Sequence, residues 1–433
     1  MMSRAHAIRL IEYEAQSLLE RLSEVRPFAL TLPMVAAAAP SVGAQAAIEK
    51  FLADGRAYLR RLATDFLHWL HSPGGAIAAP AQIQRRFAIV RMRFLGILTQ
   101  FDVFSDALSE RSQHSYGEWL GGLDVLALDA LELPGRPYAC PPVICHLDRE
   151  PGAAIRRVRA RLPGGGLTPV AIIRMPRERM VGSSIASSLV HEVGHQGAAL
   201  LDLVEPLRQQ LAAKAIAYPA ERQAWLCFRQ WLSEIIADFW SVARVGITST
   251  LGLMSVVSLP AAFVTRFSGD DPHPPPWIRV KISAAIGQVL YPSPQWQELA
   301  SAWEDLYPLR NANPQDAAAL RDIERSVASL AMVLASFRPV QLGDTALGTA
   351  FPLAGCTPGR LRALWQQQRT DSGTLAQLTP TQACGVIGQA KFDGWITAVE
   401  EVRLLRQLLR FWALHSTIDA RTVCAQAQPA LTI

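Results

Sequence analysis

Two histidines four residues apart, with a glutamate beside the first, stand in the run His191-Glu192-Val193-Gly194-His195. On an α-helix this spacing puts both imidazoles on one face, one turn apart, where they can grip a single zinc ion. Glu192 then points beside the metal and not at it, so it can take a proton from a zinc-polarised water and later give it to a leaving amine. Zinc lowers the pKa of its water from about 15.7 to roughly 7, which brings that proton transfer within reach at neutral pH. A catalytic zinc also needs a third protein ligand and an open position. Further along, Glu234 and Asp238 lie at i and i+4 among Trp231, Leu232, Ile235, Ile236, Phe239 and Trp240. Two carboxylates on so apolar a helix would be costly to bury unpaired. Glu234 is therefore expected as the third ligand. Asp238, one turn on, is expected to accept the free ring N–H of a ligand histidine and fix its tautomer. The plainer alternatives are a surface pair of histidines and a helix with a partly exposed acidic edge.

These side chains need helices to hold them. Periodicity predicts helices over about 183–213, 220–245 and 248–264, then a loop from Ser268 to a further helix starting at Trp277. Ser183 and Ser184 are suited to cap the first of these, and Ile185, Leu189, Val193, Leu200 and Val204 give it an apolar stripe. Gly194 weakens that helix by about 1 kcal/mol relative to alanine, but leaves room for a neighbouring element to come close to the metal. Between 142 and 181 the pattern changes. Val143-Ile144-Cys145 and residues 170–175 are β-prone runs, separated by the Arg-rich stretch 156–161 and the turn Gly164-Gly165-Gly166. Before this lies a helical region from Ala5 to about Leu131. After it the chain reads as helices with turns near 292–294, 314, 355–359 and 380.

H-E-x-x-H on one helix followed by E-x-x-x-D on the next resembles the gluzincin class of metallopeptidases, which includes thermolysin. The resemblance implies His191, His195 and Glu234 as zinc ligands, Glu192 as general base and Asp238 as the residue orienting a ligand. The gap between the two helices is longer than in thermolysin itself, and neither a GAMEN-type aminopeptidase motif nor the cysteine motif of peptide deformylases is present. His273-Pro274-Pro275 followed by Arg279 is similar to the H-P-P-x-x-x-R element of CAAX-protease-like peptidases, which are mostly membrane-embedded. That likeness would put His273 or Arg279 near the cleft, against an oxyanion or the substrate; the plain reading is a proline-rich loop ahead of a helix. Together the likenesses cover about residues 168–285. They imply a mainly α fold: an α+β zincin-like catalytic core with a small sheet at 136–290, flanked by helical regions at 1–135 and 291–433. They also imply that the strand at 170–175 offers its edge to an extended substrate.

The bulk composition is compatible with this. Half the residues are apolar and 18% are charged, a globular balance and not a disordered one. The net charge of +5 is mild, and the basic residues are interspersed with acidic ones, so no nucleic-acid partner is expected. Acidic residues from Glu12 to Glu24 occupy the stretch where a secretory signal would be apolar. Six cysteines without a CxxC pair fit reduced thiols in a cytoplasmic protein. The uncharged stretch between Arg244 and Arg266 is diluted by Gly246, Gly252 and Pro260, and is expected to be a buried helix and not a membrane span. The expected function is that of a zinc-dependent metallopeptidase acting on a peptide or protein substrate. The competing reading is a non-catalytic zinc-containing scaffold or partner-binding protein. Tyr218 and Tyr291 are considered as oxyanion donors, with packing the commoner role for such residues.

Overall fold

The computed structural model describes residues 2–25, 34–148, 152–176, 182–371 and 373–427. The sheet explains much of the rest. β1 (Val143–Asp148) pairs in parallel with β3 (Ala171–Pro176), and β2 (Ala154–Arg156) pairs antiparallel with β3, giving the order β1-β3-β2. Ile144 and Ile172 face one side, toward Phe101 and Phe104; Val143, Cys145, Ile173 and Met175 face the other, into the main core. Both faces are covered. That is why β1 and β3 read as nearly continuous apolar runs and not as an alternating pattern.

The first side is covered by the N-terminal helices α2 (Val42–His71) and α3 (Pro80–Ser109); α1 (Met2–Ser23) packs on these two, sharing with them a core of their own around Leu18, Leu59, Phe66, Phe87 and Phe94. A buried pair fastens the two sides together: Arg111 donates to Asp124 at 2.9 Å and to the Ala38 carbonyl at 3.1 Å, while Asp124 accepts the Cys145 N–H at 2.7 Å. The large core begins at α4 (His114–Leu131) and runs through α5 (Ser183–Leu200), α6 (Val204–Ala217), α7 (Arg222–Gln230), α8 (Leu232–Val245), α9 (Ile247–Val257) and α10 (Pro276–Leu290). Later helices close it, among them α11 (Pro380–Phe392) and α12 (Ala398–Ala427). The fold is mainly α with a small three-stranded sheet.

Four expectations need correction. The helix expected over 183–213 is two: the chain turns at Leu201-Asp202, with Asp202 in the left-handed region (φ 48°), and Leu203 N–H returns to the Ala198 carbonyl. The helix expected over 220–245 breaks at Trp231, whose indole N–H reaches the Asp271 carbonyl at 3.2 Å. In both places the apolar spacing carries across a one-turn break, so periodicity does not register it. The third concerns the strand at 170–175. It is the central strand, bonded on both sides, and has no free edge; the edge belongs to β2, too short to announce itself by pattern. The fourth is the helix expected over 248–264: α9 ends at Val257, and after the non-helical Ser258-Leu259-Pro260 only a single helical turn, Ala261–Val264, follows. No described helix is long and apolar enough to cross a membrane.

Candidate metal centre

Ser183 opens α5, with Gly182 and not a serine at the cap position. The Ser183 N–H is instead accepted by the Glu401 carboxylate of α12 at 2.7 Å, and Lys391 approaches Glu401 from α11. Leu189 and Val193 bury the apolar stripe; the Ile185 side chain lies outside the described residues. The stripe turns His191 and His195 toward α8, with ring centroids 4.9 Å apart.

Glycines allow the two helices to meet. A Cβ at Gly194 would stand 2.8 Å from the Ala237 Cα and 2.9 Å from its carbonyl oxygen, and one at Gly197 would enter the Trp240 ring. This contact brings the first turn of α8 under the histidines. His191 Nε2 lies 3.2 Å from one oxygen of Glu234, and His195 Nε2 lies 3.4 Å from the other. Ligands about 2.1 Å from a tetrahedral zinc stand roughly 3.4 Å apart, so the spacing suits that ion. Among the described residues, His191, His195 and Glu234 are the one group of three or more His, Cys, Asp or Glu side chains whose donor atoms converge.

The charge and hydrogen-bond pattern agrees with a cation at that point. When His195 Nδ1–H donates to Ser233 Oγ (3.3 Å), its Nε2 lone pair faces a Glu234 oxygen, an unfavourable meeting that a cation between them relieves. Glu192, Glu234 and Asp238 are answered by one buried guanidinium, Arg279, leaving two formal negative charges for a divalent ion to neutralise. The plainer reading is that His191 is protonated and completes an ion network. Burial pushes its pKa down, but Asp238 and Glu234 outweigh this and raise it to about 9 in the metal-free protein.

Asp238 sits where the sequence expects it, with Oδ1 2.8 Å from His191 Nδ1. Arg279, from the first turns of α10, donates to Asp238 from Nε at 2.7 Å and from a terminal nitrogen at 3.0 Å, and to Glu234 at 3.3 Å. Its shortest contacts are to these carboxylates, with both His191 ring nitrogens at 3.4 Å, so it braces the cluster and is not aimed at a substrate. His273 stands on the rim, more than half exposed, with Nδ1 3.1 Å from Asp271 and Nε2 3.9 Å from Glu234.

Comparison with protein-family models, curated proteins and solved structures returns no match.

The centre opens into a cleft of about 340 Å³. His191, Glu192 and His195 line it from α5, Ser233 and Glu234 from α8, His273 from the loop, and Ala154, Ile155 and Arg157 from β2 and its exit. Glu192 is nearly buried; burial raises its pKa above the usual carboxylate value, while the Ile155 backbone amide favours the charged form. A wider cleft of about 730 Å³ surrounds Arg244 at the far end of α8, but no metal-donor cluster among the described residues lies in it. Tyr291 is buried and donates to the Ala243 carbonyl at 2.6 Å, while Tyr218 is half-exposed under Lys214; neither lines the cleft. Cys140 is exposed and Cys145 lies buried in β1, outside any such cluster. Sequence reasoning missed Glu401, which carries no local signal, and β2.

Proposed function

We propose that this cleft hydrolyses peptide bonds, with His191, His195 and Glu234 holding one zinc ion and Glu192 as general base. The observation that carries the reading is the presence of Glu192 beside a three-donor set that opens to a cleft. A structural zinc site usually closes its fourth position with protein and needs no adjacent acid. When bound, zinc would act as a Lewis acid toward a carbonyl and acidify water. Glu192 accepts the water's proton at its carboxylate and returns it to the departing amine nitrogen. Burial raises its pKa above the usual carboxylate value in the metal-free protein, the direction that favours a carboxylate holding a proton between the two transfers. Asp238 orients His191 through Nδ1, and Arg279 holds Asp238. An extended peptide can add to the edge of β2, where backbone groups rim the cleft.

The reading puts the protein in the cytoplasm, where its five described cysteines, all free, stay reduced. The competing reading is a zinc-containing or metal-free partner-binding protein in which the same residues form a buried ion network. Metal analysis and a Glu192→Gln variant separate the two. About one zinc per chain is expected. Hydrolysis of a peptide library, or of proteins in a native extract if there is one dedicated substrate, should fall on the order of 10²–10⁴-fold in the variant with its zinc retained. Full activity in Glu192→Gln overturns the mechanism.

A further inference from the structure

We infer that the cleft selects peptides carrying an acidic residue close to the bond that is cut, and that Arg157 reads this acid. The inference names the substrate class of the proposed peptidase site and rests on that reading.

Between Gly152 and Thr168 the chain carries Arg156, Arg157, Arg159 and Arg161 and no aspartate or glutamate. Arg157 leaves β2 directly and lines the same cleft as Glu192, Glu234 and His273. It is exposed, and among the described residues none of the four arginines pairs with a carboxylate; Arg156 reaches only the Arg161 carbonyl, at 3.4 Å. Such a charge would be an ordinary solvated surface group if its backbone were loose. It is not loose. The Ala160 N–H closes a turn onto the Arg157 carbonyl at 3.0 Å; across the base of the loop the Arg159 N–H donates to the Thr168 carbonyl at 2.9 Å and the Thr168 N–H to the Ala160 carbonyl at 3.0 Å. The Val158 N–H is held at 2.9 Å by Gln196, a buried side chain directly after His195. The turn bearing Arg157 is thus tied to the helix that bears the histidines.

Arg157 lies two residues beyond Ile155, which lines the same cleft as Glu192. At roughly 3.3 Å per residue this is about 7 Å along the strand, so a peptide extended on β2 meets the guanidinium within about two residues of its reacting carbonyl. A guanidinium receives a carboxylate through two parallel hydrogen bonds. A nucleic-acid backbone is disfavoured, because its successive phosphates would also run past Glu192 and Glu234, which line the same cleft.

The test uses the full chain with Glu192→Gln to stop turnover, and short fluorescein-labelled peptides identical except for a central Glu-Glu, Gln-Gln or Lys-Lys. Anisotropy should show the Glu peptide binding on the order of tenfold tighter than the Gln peptide at low salt, with the gap closing as salt rises. Arg157→Glu should invert the order with an unchanged circular dichroism spectrum. Arg161→Glu, outside the cleft lining, should shift it less. No binding by any peptide, no charge order, an order that survives Arg157→Glu, or displacement of the Glu peptide by oligo-dT at lower concentration than by unlabelled peptide overturns the inference. Zinc-loaded wild type separates the two readings. Equal cutting of Glu and Gln peptides sinks the acidic preference and leaves the hydrolase reading standing. Arg157-dependent binding without cutting sinks the hydrolase reading and leaves Arg157 as the reader of the acid.

Discussion

Asp238 holds His191 by a 2.8 Å contact between Oδ1 and Nδ1, while its other oxygen takes the Nε–H of Arg279 at 2.7 Å. A buried carboxylate bearing a guanidinium on one side and an imidazole on the other is fixed in orientation, and so is the imidazole. Asp238→Asn is expected to weaken zinc retention about 10–100-fold, measured by competition with a chromophoric chelator. Asp238→Ala and Arg279→Met each strand an opposite charge in a nearly dry site and should cost about 3–5 kcal/mol in urea denaturation. The double variant should cost less than the sum of the two by about 0.5–3 kcal/mol. Strict additivity would mean the pair is not coupled.

Gly194→Ala tests the close helix crossing. In an exposed helix this change stabilises by about 1 kcal/mol. Here the new methyl would lie 2.8–2.9 Å from the Ala237 backbone, which has no rotamer to give way. We expect destabilisation of about 1–3 kcal/mol and weaker zinc binding, because α5 and α8 must part and carry the histidines away from Glu234. A stabilised variant with full zinc affinity would show that the helices yield.

His191, Glu192, His195, Glu234 and Asp238 were legible in the sequence because helical periodicity turns spacing into shared faces, and carboxylates among tryptophans and isoleucines demand a partner. The fold class was legible for the same reason. Arg279 was legible only as a motif position: nothing in the chain between it and His191 says that it grips Asp238 and not the substrate. The edge strand was misassigned because Ala154-Ile155-Arg156 is too short to show alternation, while the longer run at 171–176 owes its apolarity to burial on both faces. The breaks at Asp202 and Trp231 escaped notice because one turn of non-helical backbone leaves the apolar spacing intact.

Glu401 makes the stability of α5 depend on α12. Its carboxylate accepts the Ser183 N–H at 2.7 Å, at the end of the helix where a negative charge is favoured. Glu401→Ala should cost about 0.5–2 kcal/mol, read as a lower urea midpoint with an unchanged m-value. Zinc affinity should change little, because His191 lies two turns inside the helix. A large loss of zinc with no loss of stability would contradict a capping role.

Metal-free and zinc-bound protein should differ in how their stability responds to pH. In the metal-free protein burial lowers the His191 pKa, but Asp238 and Glu234 prevail and raise it to about 9, against 6.5 in the unfolded chain. The folded state then binds this proton more tightly. The resulting stabilisation is complete below pH 6.5 and is lost as pH rises through 9, with a slope of at most about 1.4 kcal/mol per pH unit for one proton. His195 opposes this only at the lower edge of the window. Burial, and after it the charge on His191, hold its folded pKa down to about 4, so the folded side chain is neutral while the unfolded one loses the last of its proton just above pH 6.5. Zinc competes with the proton on His191, so zinc affinity must rise over the same interval. Thermal unfolding between pH 6.5 and 9 should therefore show the chelator-treated protein losing stability and the gap between zinc-loaded and chelated protein widening. A gap that stays constant across the window would mean that zinc displaces no proton from His191, and that the ion is not held by this side chain.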